Sequence, residues 1–324
     1  MLKHVLLVCS LIFSPLAFAD WKPTKSVEVI VPFPPGSGND LVIRPLVEKI
    51  EKNTGVKFLV VNKPGAGGTV GTTHFSKMEK DNHSIAVLSI GGLSAMDKTF
   101  PSFAKEAPYT LNSFEYVMPV GTSPVVVIAN KNDKVNTPKE LLDVVMKDNV
   151  VVADSGGGGR LGLESFLIHS QARVKNNSIV RVEHKGPAET VTDVIGGHVR
   201  FGTVPLTVAY PHVKSGNLKI IAATQQQPVA QLNIASMSSI SQNISAEIVW
   251  GVVMNKGTSK EVVGWYAAEL LKAINDADVE KIFTTNMFFK PNKNIMSPDK
   301  FKQYVYDQEK LHQPVVQFIL NSAK

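Results

Sequence analysis

The chain is nearly free of cysteine, since its only cysteine is Cys9, close to the N-terminus. The surrounding segment predicts an export signal. Lys3 precedes an apolar run from Val5 to Leu16, and Ala17-Phe18-Ala19 follows as an A-x-A cleavage site. We expect cleavage after Ala19, which removes Cys9 with the signal. The mature chain then has no thiol, which excludes disulfides, thiolate metal sites and cysteine nucleophiles.

Long apolar runs and arginine are scarce as well. The apolar part of the signal is shorter than the roughly 18 residues that a membrane span needs, and no later run is more apolar. Most of the formal charge of +6 comes from scattered lysines, and no basic cluster alternates with aromatic residues. We therefore expect no nucleic-acid partner. A mildly basic exported protein can still attract small anions.

The common catalytic motifs are missing too. There is no G-x-S-x-G nucleophile motif, no H-E-x-x-H pair and no G-x-x-x-x-G-K-[ST] phosphate loop. The glycines from Gly65 to Gly71 do not form G-x-G-x-x-G, because position 70 is valine. Carboxylates such as Asp40, Glu164 and Glu189 are interpreted as helix-end and surface charges, and His184 as a surface or pocket-rim residue. We expect no catalytic residue, cofactor or metal.

The most informative stretch is Val27 to Asp40, VEVIVPFPPGSGND. A β-branched run predicts a strand that must end at Pro32, because proline cannot donate to a sheet. Gly36 and Gly38 allow a sharp turn, and Asn39 or Asp40 is expected to cap the next helix, which Pro45 should kink. A strand, a glycine turn and a helix N-terminus together form a typical anion-binding corner.

The same pattern of strand, glycine turn and helix recurs along the chain. After removal of residues 1–19, 305 residues remain, enough for two lobes with separate cores. Alternating strands and helices favour an α/β fold with parallel strands, whose glycine turns meet at one sheet edge. We interpret Pro119 to Asn130 as a long strand region that crosses into the second lobe. The predicted elements are strands near 27–31, 56–62, 85–89, 119–130, 150–153, 179–182, 199–204, 218–224 and 248–254, and helices near 69–80, 137–146, 160–171, 188–195, 259–275 and 298–322.

A run of glycines, Ser155 to Gly159, precedes the predicted helix at Arg160. Consecutive glycines are entropically unfavourable, so they usually allow close backbone approach to another group. Arg160 has two interpretations that stay open. A cation is disfavoured at a helix N-terminus, which suggests pairing with a ligand carboxylate, but the side chain can equally point into solvent.

Several of these segments resemble the solute receptors of tripartite tricarboxylate transporters, often called Bug proteins. The similar segments are VPFPPGSGNDLVIRPLVEKI, VVNKPGAGGTVG, HKGPAETVTDVIGGHV and YPHVKSGNLKIIAAT, within Val27 to Thr224. The resemblance implies a periplasmic protein with a two-lobed periplasmic-binding-protein fold (type II-like). Each lobe would be a mostly parallel sheet flanked by helices, with the ligand cleft between the lobes. Such receptors bind small carboxylates and deliver them to a membrane permease.

The resemblance also implies domain boundaries and site residues. Residues 20–122 and 225–324 would form lobe 1 and residues 123–224 lobe 2, with hinges near Gly121–Pro124 and Thr224–Gln226. The expected ligand-binding residues lie in the glycine loops and at two strand ends. They are Phe33, Pro35, Gly36, Ser37, Gly38, Asn39, Asp40, Ala66, Gly67, Gly68, Thr69, Ser89, Ser155, Gly156, Gly157, Gly158, Arg160 and Thr203.

The second lobe departs from the family pattern. Glu183-His184 stands where Pro-Tyr is usual, and Arg200 stands where an aspartate commonly begins a strand. Thr203-Val204-Pro205 replaces the usual Phe-Asp-Asn. Two alternatives to a permease-linked, monomeric receptor stay open. One is an exported two-lobed enzyme acting on a small acid, and the other is a ligand sensor that feeds a two-component kinase.

Overall fold

The computed structural model describes residues 21–90, 108–147, 150–154, 179–184, 186–225, 229–239 and 247–322. Its strands are β1 Val27–Val31, β2 Phe58–Asn62, β3 Ser84–Ser89, β4 Phe114–Asn130, β5 Val150–Asp154, β6 Ile179–Glu183, β7 Phe201–Pro205, β8 Leu218–Ala223 and β9 Glu247–Asn255. The α-helices of the described residues are α1 Gly38–Thr54, α2 Thr69–Ser76, α3 Pro138–Lys147, α4 Pro187–Gly196, α5 Leu206–Lys214, α6 Lys260–Ile274, α7 Ala277–Thr285 and α8 Pro298–Ser322.

The first lobe is a mixed sheet between two helical layers. Its strand order is β2-β1-β3-β9-β4, with β1 parallel to β2 and β3, and β9 antiparallel to β3 and β4. Strand β1 forms because its β-branched side chains are fully buried between the layers. Helices α1, α6 and α7 pack on one face, and α2 and α8 pack on the other. The parallel strands β1, β2 and β3 therefore end at one edge of this sheet.

Strand β4 joins the two lobes. Its residues from Phe114 to Pro124 pair with β9, whereas Val125 to Asn130 pair with β7 and β8. The expected crossing of the 119–130 strand into a second lobe is therefore confirmed. Register shifts near Met118 and Gly121 bend the strand. A Cβ atom on Gly121 would lie 2.6 Å from Val42 Cγ2, so α1 packs directly against this crossing.

The second lobe repeats the layered arrangement. Strand β5 is parallel to β6 and β7, and β4 is antiparallel to β7 and β8. One face carries α3, and the other face carries α4 and α5. Strand β7 is antiparallel to β4. Its carboxyl end, Pro205, therefore lies opposite Val125, where β4 enters this lobe. That end faces lobe 1.

The two-lobed α/β fold is confirmed, with differences in detail. Both sheets are mixed rather than mostly parallel, because the strands that connect the lobes run antiparallel to their neighbours. Helices α5 and α7 were not predicted, and α2 ends at Ser76 rather than near Lys80. Within the described ranges, no helix is both long and apolar enough to cross a bilayer. The domain boundaries stay a prediction, as does the helix at 160–171, which lies outside the described residues.

Candidate functional site

The loop after β1 is closed by its own side chains. Ser37, rather than Asn39 or Asp40, is the N-cap of α1, and its hydroxyl accepts a hydrogen bond from the Asp40 N–H. The Asp40 carboxylate in turn accepts from the Gly36 N–H at 3.0 Å. A carboxylate of the chain thus already occupies the anion-binding corner at α1. The prediction that this corner holds a ligand carboxylate stays a prediction, and a ligand there would meet the Asp40 carboxylate.

Asp40 is also bound to two further side chains. Its Oδ1 accepts from Arg44 Nη2 at 2.7 Å and from Asn62 Nδ2 at 2.9 Å. Asn62 also donates to the Phe33 carbonyl, so one residue of β2 holds both ends of the loop. Burial alone would raise the pKa of Asp40, but the bonds from Arg44, Gly36 and Asn62 outweigh burial and lower that pKa. Asp40 is therefore a buried, ionised side chain that holds the loop in place, and not the surface charge that we expected.

Asn39 forms a second buried network. Its Nδ2 donates to the Val87 carbonyl, and its Oδ1 accepts from Ser89 Oγ and Trp250 Nε1, both at 3.1 Å. The amide and the indole are buried, and each has its polar atoms paired. This network fixes the start of α1 to β3 and β9. Asn39 and Ser89 hold the loop in place, and their polar atoms in these bonds are not free for a ligand.

The second glycine loop, Gly65 to Gly68, lies against the first. All four residues have positive φ, from 45° at Ala66 to 139° at Gly65. Gly68 has a φ of 100°, which favours glycine, and a Cβ atom there would lie only 3.1 Å from the Phe33 ring. A left-handed run turns successive backbone N–H groups toward the same side, which is the geometry of backbone anion sites.

This loop leads into α2 and already satisfies the first N–H groups of that helix, because Gly68 and Val70 donate to the Gly65 carbonyl and Thr69 donates to the Ala66 carbonyl. Helix α2 has Gly68 as its N-cap and no side-chain cap, unlike α1. Thr69, the first residue of α2, is buried, and its hydroxyl has no hydrogen-bond partner. A buried hydroxyl at the positive end of a helix dipole is suited to an anion. The α2 N-terminus therefore differs from that of α1, where Ser37 and Asp40 supply the acceptors.

The predicted lobe 1 residues separate by exposure. Phe33, Pro35, Gly36, Ala66 and Gly67 are accessible or half-buried, whereas Ser37, Gly38, Asn39, Asp40, Gly68 and Thr69 are buried. A Cβ atom on Gly38 would lie 2.3 Å from the Trp250 ring. Gly38 therefore serves packing, and the accessible or half-buried residues are the ones that face solvent.

Lobe 2 contributes fewer described residues. Ser155, Gly156, Gly157, Gly158 and Arg160 lie outside the described residues, so their predicted roles stay predictions. Thr203 lies in β7 with no solvent exposure.

The two side chains that depart from the family pattern have partners within lobe 2. We expected His184 to be a surface or pocket-rim residue. It does not lie on the surface, because only 10% of its side chain is exposed and its ring bonds Thr190 and Asp193. Arg200 pairs with Asp133 at 2.9 Å and lies over the Phe201 ring. Both side chains therefore already have a structural role.

The hinge strand β4 presents different groups on its two faces. Side chains alternate along a strand, so Ser123 and Val125 point to one face and Thr122 and Pro124 to the other. On the first face, Ser123 Oγ accepts from the Thr207 N–H at 3.4 Å. On the second face lies a cavity of about 600 Å³, whose described lining includes Thr122, Pro124 and Glu247. This cavity shares none of its described lining with the predicted loops.

Sequence reasoning missed Asn62, Arg44 and Trp250, which position the first loop. Asn62 and Trp250 carried no local signal, because the fold brings them to Asp40 and Asn39. Arg44 did carry one, because it lies four residues after Asp40 on the same helix. In the part of the chain that the structure describes, no group of three His, Cys, Asp or Glu side chains is arranged to hold a metal ion.

Comparisons with known proteins agree on one family. A sequence profile described as "Tripartite tricarboxylate transporter family receptor" matches residues 42–320. Protein BugT of Bordetella pertussis is 24% identical over 294 residues, which cover 90% of this chain and 88% of that protein.

Two solved structures extend the comparison to the fold. The periplasmic binding protein BugD gives a TM-score of 0.79 at 25% identity, covering 93% of this chain and 99% of BugD. MatC from Rhodopseudomonas palustris, with bound malate, gives 0.80 at 22% identity, covering 91% and 100%.

Proposed function

The chain belongs to the receptor family of tripartite tricarboxylate transporters, and we propose that it captures a small organic carboxylate between its two lobes. The profile match covers most of the chain, from residue 42 to residue 320. The relatives are receptors and binding proteins, which supports binding without turnover. We therefore propose a solute receptor and not an enzyme.

The observation that carries this proposal is the buried Thr69 hydroxyl at the N-terminus of α2. The α1 N-terminus is already satisfied by Ser37 and Asp40, whereas α2 lacks a side-chain cap and the Thr69 hydroxyl has no partner. A carboxylate placed there would receive a hydrogen bond from this neutral donor at the positive end of the helix dipole. No cationic side chain is required.

The ligand class follows from the same chemistry. MatC, which shares the fold, holds malate. We propose a dicarboxylate as the first ligand to test, within a wider class of tricarboxylates, acidic amino acids and aromatic acids. Further parts of the proposal are export to the periplasm with cleavage after Ala19, a monomeric state, and delivery of the ligand to membrane permease subunits. The coupling of binding to a sensor kinase is the alternative output.

A thermal-shift screen of the mature chain tests the function. A ligand that binds only the folded state stabilises it by RT ln(1 + [L]/Kd), roughly 2.7 kcal/mol at a hundredfold excess over Kd. We expect discrete Tm increases with some carboxylates and none with matched alcohols. Mass spectrometry should recover the bound acid unchanged, and chemical conversion would favour the enzyme alternative instead. Flat curves across the whole panel would contradict the proposal.

Thr69→Val tests the proposed anchor. The substitution removes the hydroxyl and keeps the size of the side chain, so we expect weaker carboxylate binding by roughly tenfold, the value of one hydrogen bond to a charged group. Thr192→Val is the matched control, because Thr192 lies exposed on α4 and its hydroxyl bonds only the Ala188 carbonyl of its own helix. Equal affinity of Thr69→Val and Thr192→Val would show that α2 does not hold the carboxylate.

A further inference from the structure

The cavity on the second face of β4 is built on both strands that cross between the lobes. Glu247 of β9 lies opposite Pro124 of β4. Val249 lies opposite Thr122, two residues further along each strand, so the four side chains share one face. The volume of about 600 Å³ falls within the roughly 300–1,000 Å³ that is typical of small-molecule sites. We call this space the hinge cavity.

Two further segments fix the walls of the hinge cavity. The backbones of Thr122 and Phe289 exchange two hydrogen bonds of 2.9 Å each, which hold Phe289 against β4. A Cβ atom on Gly251 would overlap the Phe301 ring, so α8 lies close to β9. Tyr304, one turn further along α8, lines the cavity from that side. Backbone pairing and helix packing therefore form the cavity in advance of any ligand.

Glu247 carries the uncompensated charge of the hinge cavity. Lys290, the one cationic side chain of the described lining, pairs instead with Glu280 at 3.2 Å, which is not part of that lining. The Thr122 hydroxyl donates to the Glu247 carboxylate, but burial outweighs this bond and raises the pKa of Glu247. A cation close to the carboxylate would lower that pKa. Glu247 therefore lacks a cationic partner among the described residues.

The groups around Glu247 suit an organic cation better than a metal ion. Across the described ranges, no group of three His, Cys, Asp or Glu side chains is placed to share a metal. Burial raises the pKa of Tyr304, and the nearby Glu247 carboxylate adds to the shift, so the phenol stays neutral. A primary ammonium group has three N–H donors, and the carboxylate and the phenol oxygen are acceptors for them. Phe289 adds an aromatic ring, which attracts cations, and Val249 and Ile295 add apolar surface.

We propose that the hinge cavity binds a small organic ammonium compound, with its cationic group at Glu247 and its carbon skeleton against Phe289 and Tyr304. This site goes beyond the proposed carboxylate site and selects the opposite charge. Val229 of the cavity lining packs in the core of lobe 2, whereas Val249 packs in the core of lobe 1. A ligand in the hinge cavity would therefore contact both lobes beside the strands that connect them.

Calorimetric titration of the mature chain with matched amines and alcohols tests this inference. The pairs are 2-phenylethylamine with 2-phenylethanol and butylamine with butan-1-ol, which differ only in the polar group. Both amines are protonated at neutral pH, as a lysine side chain is. We expect the wild-type chain to prefer one of the amines to its alcohol by about tenfold or more, because hydrogen bonds between charged groups are the stronger ones.

Glu247→Gln removes the charge and keeps the size of the side chain. This variant should reduce the preference for the amine to less than about threefold and leave the affinity for the alcohol unchanged. Glu261→Gln is the matched control, because Glu261 is exposed in the first turn of α6 and lies outside the described lining of the cavity. The control should keep the wild-type preference.

The thermal stability of the free protein tests whether the Glu247 carboxylate lacks a partner. Because its pKa is raised in the folded state, the ionised carboxylate destabilises the fold at neutral pH. Glu247→Gln without ligand should therefore melt no lower than the wild type. A lower Tm would show that the protein itself compensates this charge, and it would contradict the inference.

The remaining outcomes are distinguishable from those of the carboxylate screen. If neither amine binds, if amines and alcohols bind equally, or if Glu247→Gln keeps the preference, the hinge cavity is not a site for organic cations. The carboxylate proposal stands or falls separately, because its ligands carry the opposite charge and its test variant is Thr69→Val.

Discussion

The buried carboxylate of Asp40 gives the most direct test of how this site is built. Three donors converge on it: the Gly36 N–H, Arg44 and Asn62. Asp40→Ala removes the acceptor and leaves all three donors in place. If Asp40 is a brace for the loop, the substitution should lower stability without any ligand present. If it were mainly a ligand contact, the free protein would be little affected.

The size of the effect follows from burial. Only 4% of the Asp40 side chain is exposed, whereas 47% of Arg44 is exposed and can be rehydrated. Removing one partner of a fully buried ion pair costs about 3–5 kcal/mol. Because Arg44 regains water, we expect the lower end of this range, about 3 kcal/mol. Large domains lose roughly 2–4 °C of Tm per kcal/mol, so the Tm should fall by about 6–12 °C.

Calorimetric melting of the free protein at several pH values is the assay. The pKa of Asp40 is lowered in the folded state, so its stabilising contribution is present above the unfolded-state pKa and is lost as pH falls through the folded-state pKa. The Tm difference between wild type and Asp40→Ala should be constant near neutral pH and shrink below about pH 4.

Glu48→Gln is the control on the same helix. Glu48 is exposed and pairs only with Lys52 one turn away, so the Tm should not change. A Tm for Asp40→Ala within about 1 °C of the wild type at neutral pH would refute this stabilising role of Asp40. A deeply buried acceptor of three hydrogen bonds cannot be removed at so little cost in stability.

The sequence predicted the strands and loops well because their signals are local. β-branched runs followed by proline or glycine mark β1 and β2. The observed bounds of these two strands differ from the predicted bounds by two residues at most. Helix α5 escaped prediction because Pro211 and few charges obscure its pattern. Prolines and glycines therefore marked the ends of these strands, whereas a proline inside α5 hid that helix.

The roles of the site residues could not be predicted, because they depend on distant partners. Asp40 looked like a helix-end charge, yet its burial depends on Asn62, 22 residues away. Asn39 is fixed by Trp250, which is 211 residues away. Sequence found where the loops meet, but only the fold shows which polar groups remain unsatisfied there.

Two further predictions concern the loops and the lobes. Gly71→Ala should lower Tm and weaken carboxylate binding, because its Cβ would lie 2.5 Å from the Lys63 carbonyl oxygen and force the second loop away from β1. Gly216→Ala isolates the cost of a left-handed residue, since its φ is +74° and its Cβ would meet open space. Similar affinity losses in both variants would show that the packing of Gly71 against Lys63 does not determine the affinity for carboxylates. The last prediction is closure of the lobes around β4. Small-angle scattering should show a smaller radius of gyration at saturating dicarboxylate, because a ligand that contacts both lobes binds the closed state better. An unchanged radius of gyration at saturation would refute closure of the lobes, even for a ligand that binds tightly. A ligand that binds one lobe alone does not favour the closed state.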